Sequence, residues 1–442
     1  MSMRRLRPAW ARAAAVGAVV GMALTIAGCG SSGASNETEG VTITVALSGN
    51  PPPSAALDAF TKETGITVKW STLDWDSLQT KISAAATAGT YFADATNVDW
   101  SRVGQLGRLG WFYPMEEYLE TEPMAEDMPQ LESFSSDGHV VGIPYDASFM
   151  VTTVNTEMFA RAGANPAPAT IEEYTAALRQ VKATGVVEHP LNIPFAAAEG
   201  LSTYWYQTTA AFGGAVLDAD GKPQFADPSS AGYQAAKWMV SAFEEGLVPP
   251  GNINVTDSQG QQDLMAKGQV ASTFSDYSGN VGSLYQDPEA STVVDQVQYI
   301  PTPGVGGPGP NLNNPDGIGI PRQAKYPVAA AEFIKWFTSA EIQADFAGVN
   351  GPDKVWSEYT LPSQLDAVEQ MASKGKLFGG DKLSAMLDTT ARPSFPGGPP
   401  TWYPEFSNAV YTNLHEAAAG TRSVDAAITA IAETAERLSA QS

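Results

Sequence analysis

The 442-residue chain has one cysteine, three histidines and only 25 lysines and arginines against 48 aspartates and glutamates. A single thiol excludes an intramolecular disulfide and a cysteine-based zinc site, so buried apolar surface must hold the fold together. The hydrophobic content of 43% suffices for that. A formal net charge of −23 excludes nucleic acid as a partner and disfavours attraction to an anionic membrane surface. His139, His189 and His415 are scattered and read as surface or satisfied structural residues rather than catalytic bases. The G-x-x-x-x-G-K phosphate loop, the G-x-S-x-G elbow and the H-E-x-x-H zinc helix are all missing. Gly304-Val305-Gly306-Gly307-Pro308-Gly309 matches G-x-G-x-x-G, but Pro308 and Pro310 stand where a dinucleotide site needs a helix N-terminus, so it reads as a loop. No cofactor and no metal are expected.

The one cysteine is placed tellingly. Arg4, Arg5, Arg7 and Arg12 precede an apolar run from Ala13 to Ile26, which is shorter than the roughly 20 residues of a membrane span, and small residues lead into Cys29. This segment resembles a bacterial lipoprotein signal. The resemblance implies that residues 1–28 are removed, that Cys29 carries the lipid, and that the protein is held at the extracellular face of the cell membrane. Removing four arginines takes the formal charge from −23 to −27, so a lipid rather than a basic patch would supply attachment. Residues 29–40, rich in Gly and Ser, read as a flexible tether.

Order is expected from Val41. Val41, Ile43, Val45 and Leu47 alternate as in a strand, Ser54 can cap a helix ending at Gly65, and Ile66, Val68 and Trp70 form a second strand. Asp76 can cap a further helix that stops at Gly89. Strand and helix thus alternate to about residue 110, the pattern of an α/β fold with a mostly parallel sheet. Further on, strands are expected at His139–Pro144, Met150–Val154, Val270–Phe274 and Val293–Ile300. Thr170 with Glu173 makes a capping box, Tyr233, Ala236, Val240 and Phe243 form one helical stripe, and Phe333, Ile334 and Phe337 point inward from another helix. Val424, Ile428 and Ile431 mark a last amphipathic helix.

Acid pairs such as Glu116-Glu117, Glu172-Glu173 and Glu244-Glu245 lie on expected helices and read as solvated faces. What remains is an inventory of rings, carboxylates and amides near strand ends and in loops. Flat rings stack on the C–H faces of sugars, and carboxylates and amides hydrogen-bond to hydroxyls. The candidate ligand-binding residues are Asn50, Trp75, Asp99, Trp100, Tyr145, Asp146, Tyr206, Asp276, Tyr277, Asn314, Asp316, Trp402 and Tyr403.

Several blocks, in order, carry a resemblance. They are Lys81–Thr90 leading to Ala93-Asp94, Leu106–Gly110, Asp137–Asp146, Val154–Phe159 with Ala162-Gly163, Met265–Ala271, Ala330–Phe337, and Gly420 with Ser423–Ala427. Together they resemble the extracellular solute-binding proteins of ABC importers, in the sugar-binding branch that includes maltose-binding protein. The resemblance implies a two-lobed, periplasmic-binding-protein-like α/β fold with three crossovers between lobes and a ligand cleft between them. It puts residues 41–146 plus 301–350 in an N-terminal lobe and 147–300 plus 351–442 in a C-terminal lobe, with crossings near Tyr145–Ser148, Val297–Pro303 and Val349–Asp353. By position it puts Asp99 and Trp100 at a strand end of the first lobe and Tyr145 and Asp146 at the hinge. Asp276, Tyr277, Trp402 and Tyr403 would face them, with Asn313, Asn314 and Asp316 before the re-entry to the first lobe. The function it implies is capture of a mono- or oligosaccharide outside the cell and delivery to the membrane subunits of an ABC permease, by a monomer that is not an enzyme. The residues themselves leave two alternatives: the same fold binding a polyamine, peptide or other solute, or an extracellular glycan-active enzyme.

Overall fold

Nine strands build two sheets: β1 (Thr42–Leu47), β2 (Thr67–Thr72), β3 (Ala95–Asp99), β4 (Ile143–Pro144), β5 (Met150–Asn155), β6 (Leu191–Asn192), β7 (Ser272–Tyr277), β8 (Val297–Ile300) and β9 (Asp316–Gly319). They belong to a computed structural model that describes residues 35–257, 259–346 and 361–441. The expected signal, Cys29 and the first half of the tether lie outside the described residues, as does the crossing expected at Val349–Asp353.

The first sheet has the order β2-β1-β3-β9-β4. β1 runs parallel to β2 and β3, while β9 returns antiparallel to β3 and β4. Ile43, Val45 and Leu47 are buried as the alternation predicts, but so is Ala46, because both faces of this sheet are covered. The second sheet has the order β8-β5-β7-β6, antiparallel except for β6 with β7.

The flanking helices follow local chemistry. Gly65 and Gly89 end their helices at φ 75° and 62°, a left-handed turn that glycine adopts without strain. The expected caps are each displaced. Ser54 is the first helical residue, with Pro53 before it, and Asp74 rather than Asp76 caps Trp75–Ala88 by accepting from Ser77 N at 2.9 Å. In the helix Ile171–Ala183 the box forms as read, with Thr170 Oγ1 accepting from Glu173 N at 3.1 Å and Glu173 Oε2 from Thr170 N at 3.3 Å. In the helix Pro327–Phe337, Phe333, Ile334 and Phe337 are buried under the first sheet. Each such side chain contributes about 1.5 to 3 kcal/mol on burial.

A buried carboxylate fastens this lobe. Asp94, 0% exposed, accepts from Thr44 N (2.8 Å), Tyr91 Oη (2.8 Å), Lys325 N (2.8 Å) and Tyr326 N (3.1 Å). It joins β1 to the start of the helix that roofs the sheet.

The chain leaves the first sheet after β4 and enters the second at β5, passing through residues 145–149. The return crossing differs from expectation. Residues 301–312, assigned above to the first lobe, stay on the second: Gly304 O accepts from Ile171 N at 3.1 Å, Val305 N donates to Ala211 O at 3.2 Å, and Asn311–Leu312 pairs with Ala391–Arg392. Asn311 Nδ2 fixes the stretch by donating to Met150 O at 2.6 Å and Thr302 Oγ1 at 2.9 Å. The chain therefore crosses at Asn313–Pro315, immediately before β9.

Candidate functional site

The carboxyl-terminal ends of β1, β3 and β7 and the two crossings converge on one cavity of about 560 Å³. Open α/β sheets bind ligands at this edge, where backbone polar groups and loops are free to face outward. Of the thirteen candidates, Trp75, Asp99, Trp100, Asp146, Tyr277, Asn314 and Asp316 line it.

Asp99 ends β3 and is 6% exposed, accepting from Trp75 Nε1 at 3.1 Å, Ser101 N at 2.9 Å and the Ser101 hydroxyl. These bonds set the Trp75 ring at the cavity edge, where the Arg102 guanidinium lies 5.5 Å from its centroid. Trp100 Nε1 donates to Asn314 Oδ1 at 3.0 Å, so the β3 end is tied to the return crossing. Asp146 accepts from Asp316 N at 3.0 Å and from Ser148 N at 3.3 Å, and Asp316 Oδ1 accepts from Asn97 Nδ2 at 2.8 Å. Burial raises the Asp99 carboxyl above the ordinary range and pushes Asp146 up to about 6. Asp316 is pushed well above its ordinary value, first by burial and then by the charges of Asp146 and Asp99.

The opposing wall comes from the second lobe. Tyr277 Oη donates to Asp257, and Glu199, at the start of the helix Glu199–Ala211, accepts from Tyr403 Oη and from Ser407 Oγ at 2.8 Å. Burial raises the Glu199 carboxyl despite Arg102 Nη2 at 3.9 Å. This pair bridges the lobes. Trp100 adds to the contact with ring centroids 6.1 Å from Phe395 and 6.2 Å from Tyr403, and Gly104 packs where a Cβ would come within 2.0 Å of Pro399 O.

Six candidates do not line the cavity. Asn50 is exposed on the loop after β1, and Ser48 takes the lining position. Tyr145 is buried in the first-lobe core, its ring 5.8 Å from that of Phe337. Asp276 is spent inside the second lobe: it accepts from Thr153 Oγ1 (2.7 Å), Asn280 Nδ2 (2.6 Å), Tyr285 Oη (2.9 Å) and Tyr277 N (2.9 Å). Tyr206 and Tyr403 belong to the aromatic core around Phe395 and Phe406, behind the cavity wall, and Trp402 rests edge-on against Phe406 at 5.7 Å.

Sequence reasoning missed Asp74, Asp76, Glu199, Thr203, Asp257 and Gln262, all of them on the lining. Asp74 and Asp76 flank Trp75; from the sequence, Asp76 has only a capping role and Asp74 none. For Asp257 the structural reason is Gly200, where a Cβ would come within 1.9 Å of Asp257 Cγ, a contact that no local sequence pattern shows. That glycine lets a carboxylate lie on the helix start.

Comparison with known proteins identifies the family. Residues 48–344, more than half of the chain, match the family model described as "Bacterial extracellular solute-binding protein". The chain belongs to this family. Its members bind solutes and are not enzymes, and the family is extracellular by description. An amino-acid ABC transporter periplasmic-binding protein of Sinorhizobium fredii (strain NBRC 101917 / NGR234) is 24% identical over 302 residues, 64% of this chain and 64% of that protein. The chain spans between about half and two thirds of the length of the curated relatives it matches. Among solved structures, a solute-binding protein of Agrobacterium radiobacter K84 in complex with ribitol has a TM-score of 0.79 at 22% identity, covering 91% of this chain and 99% of the other. One from Thermotoga lettingae TMO bound with α-D-tagatose has a TM-score of 0.76 at 20% identity, covering 90% and 99%. Both share the two-lobed fold. No helix among the described residues is long and apolar enough to cross a membrane.

Proposed function

We propose that this member of the family captures a carbohydrate or sugar alcohol outside the cell and delivers it to the membrane subunits of an ABC importer. The carrying observation is the cavity itself: it lies between the two sheets and combines the Trp75 and Tyr277 rings with carboxylates, amides and hydroxyls from both lobes. Rings face the C–H surface of a pyranose or alditol, and the polar groups meet its hydroxyls. Ribitol and tagatose in the related structures have the same chemistry. Delivery needs closure to depend on ligand, which requires contacts to both lobes that improve in the closed state. Trp75, Asp99 and Asp316 would grip from one lobe, and Glu199, Asp257 and Tyr277 from the other.

A thermal-shift panel of mono-, oligosaccharides and alditols tests this, since a ligand at about 100 times its Kd stabilises by about 2.7 kcal/mol. Stabilisation by at least one hydroxylated compound is expected, and a response only to amines or peptides lacking hydroxyls would refute it.

Cys29, in this reading, carries the lipid that keeps the binding domain beside its permease, on a tether of about 17 to 20 Å. A Cys29→Ser chain is expected to keep its ligand affinity and to leave the membrane fraction for the medium. Retention in the membrane would remove the anchor from the proposal and leave the binding site untouched.

A further inference from the structure

The cavity carries more negative charge than a neutral polyol needs. Seven carboxylates line it, and among the described residues no lysine, arginine or histidine does. Arg102, beside the cavity, is already shared between Glu199 at 3.9 Å and the Trp75 ring. Asp99 feels the Arg102 charge, whereas Asp146 and Asp316 crowd the same side with no cation acting on either among the described residues, and Asp316 has the Asn97 amide as its one side-chain donor there.

A second observation is independent of charge. Thr203, on the opposing helix and 6% exposed, lines the cavity with a hydroxyl that has no hydrogen-bond partner among the described residues. The hydroxyl is open to the cavity rather than sealed in the interior, so a ligand's polar group can take the place of water there. A neutral ligand would strip water from three neighbouring carboxylates and return no charge, which is unfavourable. An ammonium would return it, and the faces of Trp75 and Tyr277 tolerate a cation as well as a C–H surface.

We propose that the preferred ligand is a hydroxylated molecule of sugar or alditol size that carries a protonated amine, the amine seated against Asp99, Asp146 and Asp316 and a hydroxyl meeting Thr203. This rests on the solute-binding reading above and narrows it.

Calorimetric titration of the whole protein near neutral pH with matched pairs tests it: glucosamine against N-acetylglucosamine, galactosamine against galactose, and 1-amino-1-deoxysorbitol against sorbitol, with putrescine as an amine lacking hydroxyls. At least one amine should bind about tenfold or more tightly than its neutral twin. That preference should shrink several-fold in roughly 0.5 M salt, and in an Asp316→Asn variant whose Tm shows it folded. Thr203→Val should weaken the amine and its twin alike, leaving their ratio intact. If neutral twins bind as well as the amines or better, the amine inference is overturned while the carbohydrate reading stands. Binding of putrescine alone would overturn both, and so would binding of none of these compounds.

Discussion

Asp276 and Asp316 stand at equivalent places, one at the end of β7 in the second sheet and one at the start of β9 in the first, and both were candidates for contact with ligand. The structure treats them oppositely. Asp276, 1% exposed, is surrounded by four donors from its own lobe, whereas Asp316 has one side-chain donor and a cavity in front of it. A carboxylate whose acceptor sites are filled by its own fold is a structural fastener. One that is buried, crowded by like charge and left partly unfilled holds capacity for a ligand. Donor count, rather than residue type or position at a strand end, separates these two carboxylates.

The largest expected effect breaks the first half of this contrast. Asp276→Ala strands the Thr153, Asn280 and Tyr285 donors in a dry interior and should destabilise the protein by about 3 to 5 kcal/mol, measured by urea unfolding. In whatever remains folded, ligand affinity should change by less than about threefold. A large loss of affinity at full stability would move Asp276 into the site. Asp316→Asn tests the other half: the amide can still accept from Asn97 and relieves repulsion from Asp99 and Asp146, so stability should hold or rise while affinity for the ligand falls about tenfold or more, as for a lost charge-assisted bond.

Titration should follow the same division. The site carboxyls Asp99, Asp146 and Asp316 bind protons more readily in the folded chain than in the unfolded one. Between the ordinary carboxylate value near 4 and the Asp146 value of about 6, the native state therefore holds more protons, and stability falls as pH rises. Ligand-free protein should melt a few degrees higher at about pH 5.5 than at about pH 8. Asp146→Asn should flatten that slope. A melting temperature that climbs steadily over this interval would contradict the burial of these groups as charged neighbours.

Much of the fold was legible because local rules agree with it: glycine stops at Gly65 and Gly89, the Thr170–Glu173 box, the inward face of Pro327–Phe337. Caps slipped by one or two positions where a proline or a second aspartate competed, as at Pro53 and Asp74. The return crossing slipped further, since nothing local shows that Asn311 will bond to Met150, 161 residues away. The site was legible only in part for the same reason. Asp99 and Trp100 lie at the end of a strand, whereas Asp257 reaches the start of the helix Glu199–Ala211 only through close packing on Gly200, between distant segments. Ring count misled most, because an aromatic residue near a loop is as readily a core ring as a ligand platform.

Two tryptophans sharpen that last point with the smallest expected change. Trp75 lines the cavity with its indole N–H held by Asp99 at 3.1 Å, so truncation removes a ring face from the ligand and a donor from a buried carboxylate. Trp75→Ala should weaken binding by at least about tenfold, comparable to losing a stacked ring at about 1 to 3 kcal/mol. Trp402 precedes the helix Tyr403–Ala418, half-buried, with its ring edge-on against Phe406 and its Cζ2 3.7 Å from where a Cβ on Gly221 would lie. Trp402→Ala should therefore leave affinity within about twofold and cost about 1 to 2 kcal/mol of second-lobe stability from lost apolar contact. A tenfold loss of affinity at Trp402 would mean that the second lobe reaches the ligand through its aromatic core. The contrast drawn from Asp276 and Asp316 would then hold for carboxylates alone.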